Sequence, residues 1–212
     1  PQRKAHLNAE ALLISQIVDM KTRFESAAIE LMSQAQLKTE IDMAASIQLQ
    51  LLDQKLPQID DLDMYAYSNP AAQVGGDFYD FCFYKDRPLV FTVGDISGKG
   101  LPAALIMAMT RVVLRTAVRF MSVVDPGTIL VRMNEDLYDD FTDVGMFATV
   151  FVGCYDVETE QLVYANAGHA PAIYCPADGP AVLLEADVPV IGVVPLYACQ
   201  KHSIPFNAND VL

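Results

Sequence analysis

The sequence predicts an α+β layered domain carried behind one long helix. Three observations lead there. From about His6 to Leu52 there is neither Pro nor Gly, and Ala, Leu, Glu, Gln, Lys and Met dominate, all good helix formers. From Leu62 onward the chain changes to short aromatic and β-branched runs separated by turn residues, the pattern of strands. Two helix-spaced stretches interrupt these runs, and the order strands, helices, strands indicates layered α+β packing rather than a βαβ repeat.

Within the first segment, Leu13, Ile17, Met20, Phe24, Ala27 and Leu31 alternate in steps of four and three, a heptad seam. The seam weakens at Gln34 and Lys38 and resumes at Ile41 and Ala45. Residues 1–40 therefore read as a helical, coiled-coil regulatory linker, and residues 41–212 as the globular domain. One helix packed on its own domain and a short helical dimer both satisfy this pattern. Pro57 closes the segment. Strands are expected at Asp63–Ser68, Asp77–Tyr84 and Leu89–Gly94. A helix from Leu101 to about Phe120 follows, carrying Leu101, Ala104, Leu105, Ala108, Val112 and Arg115 at helical spacing. A second runs from Asp125 to about Asp140, with Asp125–Pro126 placed as N-cap and first helical residue. Strands return at Phe147–Tyr155, Leu162–Asn166, Ala172–Cys175 and Val182–Leu184.

Hydrophobic residues make up 52% of the chain and charged residues 19%, enough to build a sizeable core. The net charge of −13, from 14 basic and 27 acidic residues without a cationic run, argues against a nucleic-acid surface. An acidic protein still handles phosphates if bound metal ions supply positive charge locally. Cys82, Cys154, Cys175 and Cys199 form no C-x-x-C pair and read as reduced thiols, suited to the cytoplasm. The chain opens on Pro1, so it is read as a fragment, with room in its parent for a sensor or membrane part upstream.

Two segments carry the chemistry. Gly75-Gly76-Asp77-Phe78-Tyr79-Asp80 and Gly94-Asp95-Ile96-Ser97-Gly98-Lys99-Gly100 each set an Asp beside Gly at the edge of a strand-like run. Glycine permits the tight backbone that aims a carboxylate from a strand end. Two carboxylates on neighbouring strands suit a pair of hard, oxygen-preferring divalent ions, which together activate water and clamp a phosphate ester. On spacing alone, a strand-end Asp beside Gly is more often a turn residue than a ligand. Gly94–Lys99 is one residue too short between its glycines for a Walker A loop, and Gly100 stands where Ser or Thr would hold magnesium. Gly-Gly-Asp-Phe lacks the Glu of the diguanylate cyclase loop.

Taken together, five pieces resemble the SpoIIE-type branch of the metal-dependent, protein phosphatase 2C-like (PPM) Ser/Thr phosphatases. They are Ile47–Leu52, Val74–Asp80, Val93–Ala104, Met146–Thr149 and Tyr164–Pro171. The resemblance runs from about residue 40 to the end. It implies a four-layer α-β-β-α sandwich of two antiparallel sheets flanked by helices. It implies two Mn2+ or Mg2+ ions held by Asp77 and Asp95, with the Ile96 backbone carbonyl as a further ligand and Asp80 near the metals. The implied reaction is direct attack of metal-activated water on phosphorus, without a phosphoenzyme. The implied substrate is a phosphorylated STAS-domain protein, an anti-anti-sigma factor of bacterial partner-switching signalling. A homodimer through the N-terminal helix, under an upstream sensor domain, would set the activity.

One departure stands out. The family places another metal-binding Asp in a late Thr-Asp-Gly segment, whereas this sequence stops at Asn209-Asp210-Val211-Leu212. The remaining ligands are expected past Leu212, leaving the chain inactive if it truly ends there. His169, in a turn between Gly168 and Ala170, is read as a structural hydrogen-bonding residue. Lys99 is read as a solvated loop lysine, and His6 and His202 carry no signal. The rival reading is a catalytically silent phosphatase-fold module that grips a partner.

Overall fold

The structure, a computed structural model, describes residues 2–52, 55–60, 62–70, 72–84 and 87–212; side chains of the first helix are described at residue 13 and from residue 15 onward. The chain divides into two compact units, Pro1–Ala44 and Ala45–Leu212. The described residues of the first are all helical. They belong to α1 (Gln2–Leu52), which continues without a break into the second unit. The seam residues Leu13, Ile17, Met20, Phe24 and Leu31 are all exposed, as expected of a lone helix with nothing in its own unit to cover them.

The second unit is built on a five-stranded antiparallel sheet in the order β1-β2-β3-β4-β7. Its strands are β1 (Phe78–Cys82), β2 (Leu89–Ile96), β3 (Ala148–Asp156), β4 (Gln161–Ala167) and β7 (His202–Pro205). A two-stranded sheet pairs β5 (Ala172–Tyr174) with β6 (Val182–Leu184). Between β2 and β3 lie α2 (Gly100–Phe120) and α3 (Pro126–Val144).

Strand alternation assigns the faces. Phe78, Cys82, Val90, Ile96, Val150, Val152, Cys154 and Ala165 point to the helices and join Met107, Leu114, Ile129, Met133, Leu137 and Phe141 in the main core. Fully burying each large apolar side chain is worth about 1.5–3 kcal/mol. On the opposite face Phe151 and Tyr164 pack against Tyr174 and Leu184 of the small sheet, a sheet-on-sheet contact. Asp125 caps α3 as expected: its Oδ1 accepts from the Thr128 N–H at 2.8 Å and hydroxyl at 2.9 Å, and Pro126 opens the helix. Gly145, at φ 65°, ends it in the left-handed conformation, four residues past the expected end.

α2 is apolar enough to pass for a membrane span by composition. It is a core helix: Ala103, Met107, Leu114 and Val118 are buried, and Arg111 and Arg115 face a buried carboxylate.

The α+β class, the long N-terminal helix and the two antiparallel sheets agree with the sequence. Two details differ. Residues 63–68 keep a strand-like alternation of exposure but form no ladder, because no neighbouring strand pairs with them. Strand β7 was not anticipated, since His202–Pro205 is short and ends on proline.

Candidate functional site

Asp95 sits near the end of β2, with Thr149 of β3 as its Cα partner. Alternation turns Asp95 to the face away from the helices, while Ile96 beside it is fully buried beneath them. Asp77 immediately precedes β1 and is exposed. The two carboxyl groups come close enough to hydrogen-bond when one carries a proton. Partial burial, then the neighbouring Asp77 charge, hold the Asp95 carboxyl above the usual carboxylate range.

The backbone before Asp77 is fixed from two sides. The Gln48 side chain, in the last turns of α1, donates from Nε2 to the Gly75 carbonyl at 2.7 Å and accepts from the Gly75 N–H at 3.1 Å. The Ile96 N–H donates to the Gly76 carbonyl at 3.3 Å. Gly76 lies so close to Ile96 that a Cβ there would stand 2.5 Å from the Ile96 carbonyl oxygen. Glycine is required by that approach. The structure thus brings together Asp77, Asp95 and the Ile96 carbonyl. After Asp95 the loop is tied to β3: Ser97 N–H donates to the Phe147 carbonyl at 2.8 Å, and Ser97 Oγ accepts from the Phe147 N–H at 2.9 Å. Lys99 is exposed.

His169 stands beside this group. Its Nδ1 lies 2.7 Å from the Thr149 hydroxyl, and burial pushes its pKa below the ordinary value while the Asp77 charge opposes. Asn166 fastens the turn: its Oδ1 accepts from the His169 N–H at 2.8 Å, and its Nδ2 donates to the His169 carbonyl at 3.2 Å. Gly168 adopts φ 64° there, packed on Val190. The hydrogen-bonding part read for His169 from sequence is visible in these contacts.

Asp80 is not brought to the pair. It is three residues along from Asp77, on the helix-facing side of β1, and is 1% exposed. Arg111 Nε lies 3.3 Å from its Oδ2 and Arg115 Nη1 2.8 Å from its Oδ1. The expectation that Asp80 stands near the metals gives way to a buried anchor between β1 and α2, because odd and even strand positions face opposite ways. Gln48, Thr149 and Asn166 received no role from sequence, although all lie inside the quoted pieces. For Thr149 and Asn166 the signal was there, since each is a polar residue in a largely apolar run.

The oxygen donors at Asp77, Asp95 and Ile96 fit a hard divalent ion, and two carboxylates at hydrogen-bonding distance gain from a cation between them. Among the described residues no group of three or more His, Cys, Asp and Glu side chains is placed to hold one.

A helix-backed antiparallel sheet with a second sheet on its other face, and a carboxylate pair at the strand ends, define a PP2C-type domain. The chain belongs to the Stage II sporulation protein E (SpoIIE) family, which matches residues 85–212. It is 36% identical over 181 residues to the phosphoserine phosphatase RsbU of Bacillus subtilis, covering 84% of this chain and 52% of that one. The SiaA PP2C domain of Pseudomonas aeruginosa superposes with a TM-score of 0.69 at 22% identity, covering 82% of this chain and 69% of that one. The RsbU and RsbW domains of a Mycobacterium tuberculosis protein give 0.55 at 29% identity, over 68% and 39%. The chain spans about half or less of the length of the curated relatives it matches. Phosphatases of the PP2C family are metal-dependent.

Proposed function

We propose that the protein is a metal-dependent serine/threonine phosphatase of partner-switching signalling, acting on a phosphorylated STAS-domain protein. The observation that carries this reading is the juxtaposition of Asp77, Asp95 and the Ile96 carbonyl in a SpoIIE-family fold. Asp77, Asp95 and the Ile96 carbonyl would hold Mn2+ or Mg2+, two ions per site. Bound there, the ions lower the pKa of water and neutralise charge on the transferring phosphoryl group. The chain's own contribution is positional. Gln48 and Ile96 fix the backbone carrying Asp77, β2 fixes Asp95, and the Asn166 turn holds His169 against Thr149 at the rim. The kinship with RsbU and with joined RsbU and RsbW domains supports a regulatory phosphoserine substrate. The exposed heptad seam supports a homodimer through the N-terminal helix; coupling to an upstream sensor domain and a cytoplasmic location are part of the same proposal.

The test is manganese-dependent release of phosphate from a phosphoserine STAS protein by wild type, Asp77→Asn and Asp95→Asn. Turnover in wild type and its loss in both variants is expected. A catalytically silent partner-binding module is the second reading, since among the described residues no three His, Cys, Asp or Glu side chains are grouped to hold a metal. It requires wild type to hold the phosphoprotein without releasing phosphate under saturating manganese, a result that would overturn the first reading.

A further inference from the structure

We infer that Gln48 is a positioning residue for the metal site, acting on Asp77 through the backbone of Gly75 and Gly76. The inference rests on the assignment of Asp77 as a metal ligand. Gly75 and Gly76 precede β1, so no ladder to β2 holds them; the register begins at Phe78 opposite Gly94. A loop of two consecutive glycines has a wide range of accessible backbone conformations. Among the described residues three hydrogen bonds restrain it. Two come from one side chain, Gln48, which is only 6% exposed. Its amide meets the Gly75 N–H and carbonyl together, as a neighbouring strand would. The third joins Ile96 to Gly76.

These restraints bear on chemistry because of where they lead. Gly76 is pressed against the Ile96 carbonyl, and Asp77 follows it directly. Ile96 in turn follows Asp95. The Gln48 amide therefore closes a short frame: α1 to Gly75, Gly76 to Ile96, with the two carboxylates on either side of that contact. Releasing Gly75 frees the peptide that sets the Asp77 carboxylate against Asp95. A neutral amide suits the task, since it offers one donor and one acceptor and adds no charge beside a cation site. Its neighbour in the helix, Leu52, does something different: it is 3% exposed and joins the main core, so it holds the helix end to the domain without touching the loop's hydrogen bonds.

The experiment is calorimetric titration of Mn2+ into the intact protein as wild type, Gln48→Met, Leu52→Ala and Asp77→Asn, with a thermal melt of each. Methionine keeps the length and apolar stem of glutamine but neither hydrogen bond. Loss of about one net buried hydrogen bond's worth of preorganisation corresponds to an approximately tenfold weaker Mn2+ affinity. Gln48→Met is expected to show that shift with a melting temperature near wild type. Leu52→Ala is expected to lower the melting temperature and leave Mn2+ affinity unchanged. Wild-type affinity in Gln48→Met, with binding lost in Asp77→Asn, overturns the role of Gln48 and leaves the site standing. Equal weakening in Gln48→Met and Leu52→Ala also overturns it, since the effect is then general to the helix end. Binding of Mn2+ undiminished in Asp77→Asn, or absent from wild type, removes the metal assignment and this inference with it.

Discussion

Replacing Asp80 by Ala separates an anchor from a ligand. The Asp80 side chain is wholly buried, between Arg111, whose side chain is 9% exposed, and Arg115, 35% exposed. Removing the carboxylate leaves the Arg111 guanidinium buried without its counter-charge. Breaking a buried pair by deleting one partner costs about 3–5 kcal/mol. The Arg115 half deserves a discount, because a side chain that reaches water recovers much of its solvation. A loss of about 3 kcal/mol is therefore expected, and at roughly 2–4 °C per kcal/mol for a domain of this size the melting temperature falls by about 6–12 °C. Thermal unfolding and Mn2+ titration on the same samples give the answer. Asp80→Ala should melt early and retain its metal affinity while folded. Asp77→Asn should melt near wild type and lose it. Loss of metal binding in Asp80→Ala without a fall in melting temperature would refute the assignment and return Asp80 to the ligand set. Replacing Asp80, Arg111 and Arg115 together by Leu, Met and Met should recover part of the lost stability, since apolar side chains of similar volume often substitute for a buried ion network without penalty.

Two further outcomes follow from the same contacts. Burial opposes ionisation of Asp125, but its bonds from Lys201 and Thr128 win and hold its carboxyl below the usual range. A lowered folded pKa stabilises above the unfolded value and is lost as pH falls through the folded one. Asp125→Ala should thus cost about 1–2 kcal/mol at neutral pH, and its deficit against wild type in urea denaturation should shrink once the pH falls below about 4. Burial, the foremost cause in each, pushes the thiols of Cys82 up to about 11 and Cys154 up to about 12. Iodoacetamide at pH 8 should leave both unmodified in the native protein and label them after denaturation, as read by mass spectrometry.

What could be read from the sequence was what local chemistry decides. Absence of Pro and Gly marked α1, Asp125–Pro126 marked the start of α3, and glycine beside aspartate marked both strand ends. What could not be read depends on neighbours. Residues 63–68 have the alternation of a strand, yet a strand exists only where another accepts its hydrogen bonds. Asp80 shared a motif with Asp77, and only the strand's two-sided geometry with the arginines of α2 reveals that they serve different faces. Gln48 looked like one more polar position of a helix, because nothing local says that its partner is a peptide group 27 residues away.

The burial of Asp80 also bears on how accurately β1 is aligned. β1 has five residues and, among the described strands, pairs on one side only. A slip of one residue would send every side chain to the wrong face. Two fittings forbid it. Asp80 must meet the arginines of α2, and the Phe78 ring must lie over Gly94, where a Cβ would come within 2.6 Å of it. Only one alignment satisfies both, and that alignment also delivers Asp77 to Asp95. The strand is indexed from its dry side and used on its wet side. Substitutions that undo both fittings, deep among the helices and remote from any phosphate, would therefore part Asp77 from Asp95 by misaligning β1, and would be mistaken in a genetic screen for lesions of the carboxylate pair itself.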